Sequence, residues 1–179
     1  MILPPIRGLA DREALWQALL DGTLQCVSSD HCAYGFKQKQ PGFQDFRAMP
    51  GGAPGLDARV PIIWNAGVST SRMTPLEFAR VTALEPARTF GLYPRKGVVQ
   101  IGSDADLVVM DADRTWTWPA FRTGWGSNWD PYAGIEGRGA PTLTMVRGRI
   151  VARDGTFLGD YDGRFLARTV DSSCWEDPS

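Results

Sequence analysis

The sequence predicts an α/β protein with a small β-layer appended, and three features carry that reading. An apolar set at helical spacing, Leu15, Trp16, Leu19 and Leu20, passes through a turn at Gly22 straight into the strand-like residues 23–29. That strand ends in a polar tip, Ser29-Asp30-His31. From Tyr93 onward the pattern changes to short β-rich runs broken by glycine turns.

In chain order, residues 11–20 read as a helix that Gly22 stops, and residues 23–29 as a buried strand. Residues 37–55 are rich in Gly, Pro and polar side chains and read as a long loop, of a length uncommon unless functional or disordered. A short helix is expected over 59–66. Thr74-Pro75-Leu76-Glu77 is a strong helix start, because Thr74 can cap, Pro75 suits the first turn and Glu77 completes a capping box. Leu76, Phe78, Val81 and Leu84 supply its apolar positions, and Glu85-Pro86 opens a second helix closed by Gly91.

The second half reads as a strand at 98–101, a turn at 102–106 and a buried strand at 107–110. A hairpin pair at 143–151 follows, centred on Gly148, and Asp154-Gly155 makes another turn. From Val170 the tail is polar and expected to fray. No internal repeat is visible.

Composition narrows the function classes. The 179 residues, 43% hydrophobic, leave room for one domain or one and a part. Nineteen Lys and Arg against 20 Asp and Glu give a net charge of -1, which offers no basic face for nucleic acid. No apolar run approaches the roughly 18 residues of a membrane span. The opening Met1-Ile2-Leu3-Pro4-Pro5 has no leader character. Cys26, Cys32 and Cys174 are odd in number and lack paired metal spacing, so they read as reduced thiols in a cytoplasmic protein.

Asp30 is the leading candidate for chemistry. At the C-terminal end of a parallel strand, a carboxylate can ligate a divalent metal with one oxygen and move a proton with the other. The plainer alternative is that Asp30 caps the next turn or pairs with an arginine. His31, the chain's one histidine, is expected to point away from its neighbour on an extended strand and to serve packing. Cys32 has no identifiable base beyond His31 and reads as structural. Met49-Pro50-Gly51-Gly52 allows main-chain groups to approach a small polar ligand, but no Gly-Lys-Ser/Thr phosphate loop is present. Trp116, Trp118, Trp125 and Trp129 suggest packing or a subunit contact before a stacking platform.

The residues resemble a known family. From about Leu3 to Arg168 the chain is similar to the C-terminal part of a dihydropyrimidinase or hydantoinase, a cyclic amidohydrolase. The resemblance rests on Pro4-Pro5-Ile6-Arg7, Glu13-Ala14-Leu15-Trp16, Asp21-Gly22-Thr23-Leu24-Gln25 and Ser29-Asp30-His31-Cys32. It continues through Leu92-Tyr93-Pro94-Arg95-Lys96-Gly97, Gly102-Ser103-Asp104-Ala105-Asp106-Leu107-Val108, Asp130-Pro131-Tyr132 and Val146-Arg147-Gly148. It implies that residues 1–92 are the C-terminal part of a TIM-like barrel and 93–168 a segment of its companion β-sandwich, with 169–179 a polar tail.

It also implies that Asp30 is a metal ligand and the proton shuttle for attack by metal-bound hydroxide, and that Gly51 meets the substrate. Such enzymes open hydantoins and dihydropyrimidines to N-carbamoyl amino acids, use two zinc ions and usually form tetramers. Three departures stand out. No other ligand of the zinc pair matches here, Leu3 replaces a substrate-contacting serine, and Pro50-Gly51-Gly52 replaces Pro-Asn-Gly. The expectation is therefore part of an enzyme, inactive alone and completed by an N-terminal barrel segment. The alternatives are a non-catalytic hydantoinase-like scaffold protein, or a self-sufficient β-domain at 93–168.

Overall fold

In the computed structural model, which describes residues 1–119, 127–159 and 163–168, a helical layer precedes an antiparallel sheet. Helix α1, Leu9–Leu20, is anchored at its start by Asp11, whose Oδ2 accepts from the Gly8 N–H at 3.1 Å. Leu19 enters the core, with Trp16 and Leu20 beside it, while Leu15 faces outward. The helix ends through Asp21 and the left-handed Gly22.

The strand expected at 23–29 does not form a ladder. Val27 N–H donates to Val81 O at 3.1 Å and Val27 O accepts from Arg59 Nη1 at 2.8 Å, so the segment is tied to helices. A strand exists only beside a partner strand, and none pairs with these residues among those described. The loop at 37–55 is likewise less irregular than its composition implies. It holds α2, Phe36–Lys39, and 3₁₀ turns at Gln40–Phe43 and Phe46–Ala48.

Helix α3, Arg59–Ile63, continues as a π-helical turn, Trp64–Val68. Helix α4, Pro75–Ala79, passes through a second π-helical turn, Arg80–Leu84, into α5, Glu85–Thr89. The capping box is formed: Glu77 N–H donates to Thr74 Oγ1 at 3.2 Å, and Thr74 N–H donates to Glu77 Oε2 at 2.6 Å. Leu19, Trp64, Met73, Phe78 and the fully enclosed Val81 make the core, with Trp64 edge-on to Phe78 at 5.0 Å. Leu76, by contrast, is exposed.

The sheet is a meander in the order β1-β2-β3-β4: Leu107–Thr117, Glu136–Val146, Arg149–Arg153 and Thr156–Phe157. Both tight turns are two residues with positive φ, Arg147-Gly148 (47° and 77°) and Asp154-Gly155 (49° and 78°). That geometry matches the twist of antiparallel strands. Two expectations fail here. Residues 98–101 form no strand, and Val99 and Ile101 stand out in solvent without a ladder. Residues 107–110 do form a strand, but Val108 and Val109 are about half exposed (52% and 51%) because no second layer covers them among the described residues.

The helical layer meets the sheet closely at Gly139. The Trp64 ring lies so close to Gly139 (φ 87°) that a Cβ there would stand 2.0 Å from the indole. Beside it, Asn65 Oδ1 accepts from Arg138 N–H at 3.0 Å and Ser69 Oγ donates to Arg138 O at 2.9 Å. Among the described residues no helix is long and apolar enough to cross a membrane.

Candidate functional site

The Asp30 backbone departs from the extended form that its place after residues 23–29 implies. Its φ is 45°, in the left-handed region that aspartate tolerates better than most residues but that still carries strain. The side chain is exposed and makes no hydrogen bond or ion pair among the described residues. Neither plain alternative, a cap or an arginine partner, is therefore realised.

The next residue registers this tip against the glycine loop. His31 and Ala53 form an isolated parallel bridge, and Cys32 N–H donates to Ala53 O at 3.0 Å. That pairing joins the segment just after Asp30 to the segment just after Gly51-Gly52. Gly52, at φ 118°, lies so close to Cys32 that a Cβ would meet Sγ at 2.7 Å, so a side chain there would push the two segments apart. His31 Nδ1 accepts from the N–H groups of Gly55 (3.1 Å) and Leu56 (3.2 Å). Its lone pair is thus used to fix the loop, as the packing expectation had it.

Gly51 has its own close neighbour. A Cβ built on it would stand 2.9 Å from Leu3 Cδ1, so the isobutyl group of Leu3 takes the space a longer residue would need. The two departures noted in the sequence therefore touch each other. Gly52 N–H donates to Met1 O at 3.3 Å, which holds the start of the chain along the same rim.

Sequence reasoning missed Lys39. It is buried, and its ammonium donates to Met1 O at 3.1 Å and Pro50 O at 3.0 Å. It also faces the rings of Trp129 (5.5 Å) and Tyr34 (5.8 Å). Trp129 Nε1 in turn donates to Tyr34 O at 2.8 Å, and Phe36 N–H to Asn128 Oδ1 at 2.8 Å. No local pattern signals this cluster, since its members are scattered from residue 1 to 129.

The other tryptophans pack. Trp116 and Trp118 meet edge to face at 5.9 Å, Trp116 Nε1 donates to Gly139 O and Trp118 Nε1 to Asp130 Oδ2, both at 2.9 Å. Trp125, Cys174 and the tail at 169–179 lie outside the described residues; Cys26 and Cys32 are free thiols.

The donor set answers the metal question in part. Among the described residues, no group of three or more His, Cys, Asp and Glu gathers as a cation site. Asp30, exposed and unpartnered, suits a single oxygen ligand, whereas His31 Nδ1 is already engaged by backbone N–H groups.

Comparison with known proteins identifies the family. Residues 9–151 match the Amidohydrolase family. The chain is 36% identical over 167 residues to a D-hydantoinase of Ralstonia pickettii, an alignment covering 92% of this chain and 36% of that protein. A D-hydantoinase of Rhizobium radiobacter is 38% identical over the same length. Among solved structures, D-hydantoinase from Bacillus sp. AR9 superposes with a TM-score of 0.89 at 35% identity, covering 94% of this chain and 37% of that one. L-hydantoinase (dihydropyrimidinase) from Arthrobacter aurescens superposes with a TM-score of 0.81 at 35% identity, covering 89% and 35%. The chain thus spans little more than a third of the relatives it matches.

Proposed function

This chain belongs to the amidohydrolase family, and from that premise we propose that it forms the Asp30 side of an active site that hydrolyses cyclic ureides and imides. Residues 1–92 are the closing part of a TIM-like barrel, and 93–168 are strands of its accompanying β-sandwich. The observation that carries the reading is Asp30, an exposed carboxylate on left-handed backbone with no partner among the described residues, whose neighbour His31 bridges Ala53 just past the Gly51-Gly52 loop. A strained residue persists when its surroundings enforce it, and such positions cluster at functional sites.

In the assembled protein Asp30 would hold one of two zinc ions, with the remaining ligands supplied by another barrel segment. A divalent cation there polarises the ring carbonyl and makes water more acidic. The main chain at Gly51 meets the ring, because no side chain stands between it and a ligand. As water adds to the carbonyl carbon, Asp30 accepts its proton and passes it to the ring nitrogen. The C–N bond breaks and an N-carbamoyl amino acid is released, with Asp30 restored as carboxylate. By the family resemblance the working form would be a homo-oligomer, a tetramer.

The test is to join this chain to a barrel segment carrying the remaining ligands, then measure bound metal and hydantoin opening. About two zinc ions per subunit and ring opening are expected. A metal-free, inactive assembly would reject the enzyme reading and place the chain with non-catalytic scaffold proteins.

A further inference from the structure

Lys39 is only 6% exposed, yet no carboxylate answers its charge among the described residues. Removing an ammonium from water is costly unless other groups replace the lost hydration. Here the replacements are two carbonyl oxygens and two ring faces: Met1 O at 3.1 Å, Pro50 O at 3.0 Å, Trp129 at 5.5 Å and Tyr34 at 5.8 Å. Both carbonyls belong to the rim around Gly51. Pro50 immediately precedes Gly51, and Met1 O also accepts from the N–H of Gly52, the residue after it. Lys39 therefore reaches the main chain before Gly51 directly and the residue after it through Met1 O, while Leu3 occupies the space a Cβ on Gly51 would need.

We propose that Lys39 is the positioning residue of the Gly51 loop, a buried cation that clamps the main chain of residues 50–52. Glycines at 51 and 52 leave this stretch with large conformational freedom, which folding must remove. A charge-assisted hydrogen bond to each flanking carbonyl system does so without placing a side chain where a ligand's ring would lie. Lys37, two residues earlier and exposed, makes none of these contacts and serves as an internal reference. That the clamped loop meets a cyclic amide rests on the function proposed above; the clamp itself does not.

Lys39→Met keeps the aliphatic stem and deletes the ammonium. In the complete chain, hydrogen exchange at the Gly52 amide is expected to accelerate about tenfold or more, with the amides of the β1–β2 ladder unchanged. Lys39→Arg, which keeps the cation, is expected to restore most of that protection. Unchanged Gly52 exchange in Lys39→Met would overturn the proposal. Equal loosening by both substitutions would overturn it too, since bulk and not charge would then hold the loop. A measurement on the unaltered chain covers the case in which Lys39→Met does not fold. An amine-acylating reagent should modify Lys39 about tenfold more slowly than Lys37, and equal rates would refute the burial on which the clamp depends. Because each readout is independent of turnover, an inactive assembly with a protected Gly52 would sink the cyclic-amide reading and leave the clamp standing.

Discussion

Lys96 sits between two carboxylates, and Lys39, more deeply buried, has none beside it among the described residues. At the turn spanning residues 93–106, Lys96 Nζ lies 2.8 Å from Asp104 Oδ2 and also bonds Asp106, while Arg95 Nε holds Asp104 at 3.0 Å. The other oxygen of Asp106 accepts from Arg147 N–H at 2.8 Å, which pins the β2–β3 turn to the end of the helical layer. Ser103 Oγ completes the knot by donating to Pro94 O at 2.6 Å. At the rim the pattern reverses: among the described residues Asp30 has no partner, and Lys39 meets carbonyls and rings. Charges answered inside the chain fasten it together. A carboxylate left unanswered on strained backbone is available to something from outside.

The largest effect that separates the two regions is expected from Asp30→Asn. It should lower turnover of the assembled enzyme by about a thousandfold, in the range of losing a general base, while the melting temperature of the chain stays the same. A matching fall in stability would show that Asp30 belongs with the fasteners. Next comes Gly139→Ala, which forces a Cβ onto the Trp64 indole at a residue with φ 87°. Urea unfolding should register a loss of about 3 kcal/mol. A loss below roughly 1 kcal/mol would mean the helix–sheet junction is looser than its contacts imply.

Thr74→Ala should cost about 1 kcal/mol by removing the acceptor for Glu77 N–H, again measured by urea unfolding. The Glu77 carboxyl is held below its ordinary range by the Thr74 backbone N–H and then by the Thr74 hydroxyl. Lowering the pH through that depressed value should therefore weaken the cap.

The mildest effect is the pH dependence of the Lys96 knot. Hydrogen bonds from Lys96 and then Arg95 hold the Asp104 carboxyl below the usual carboxylate range. Its contribution is present above the ordinary value of about 3.9 and drains as pH falls through the lowered one. Burial alone would lower the Lys96 ammonium, but Asp104 and Asp106 outweigh it and raise it. That contribution is present below about 10.4 and is lost only as pH rises through the raised value. Asp104→Asn should flatten the acid limb of the unfolding midpoint, and an unchanged limb would remove Asp104 from the account.

The local devices were legible because their partners are a few residues apart. Thr74-Pro75-Leu76-Glu77 builds its cap within one turn, and Arg147-Gly148 and Asp154-Gly155 turn where positive φ is cheap. Asp30 was legible through its setting in Ser29-Asp30-His31-Cys32, which the resemblance singles out. Its left-handed backbone was not, because residues 23–29 promised extended chain. The strands expected at 23–29 and 98–101 failed for one reason: strand propensity becomes a strand only beside a partner, and none pairs with them among the described residues. Lys39 looked like any lysine beside Lys37, since Met1, Pro50 and Trp129 meet it only after folding.

By itself, then, the sequence determined what is settled by short-range chemistry: the Thr74–Glu77 cap and the two-residue turns. Tertiary structure decided which lysine is buried, that Leu3 fills the space left by Gly51, and that Trp64 docks on Gly139. These outcomes depend on segments 11 to 90 residues apart arriving at one place, and no local propensity encodes such a meeting.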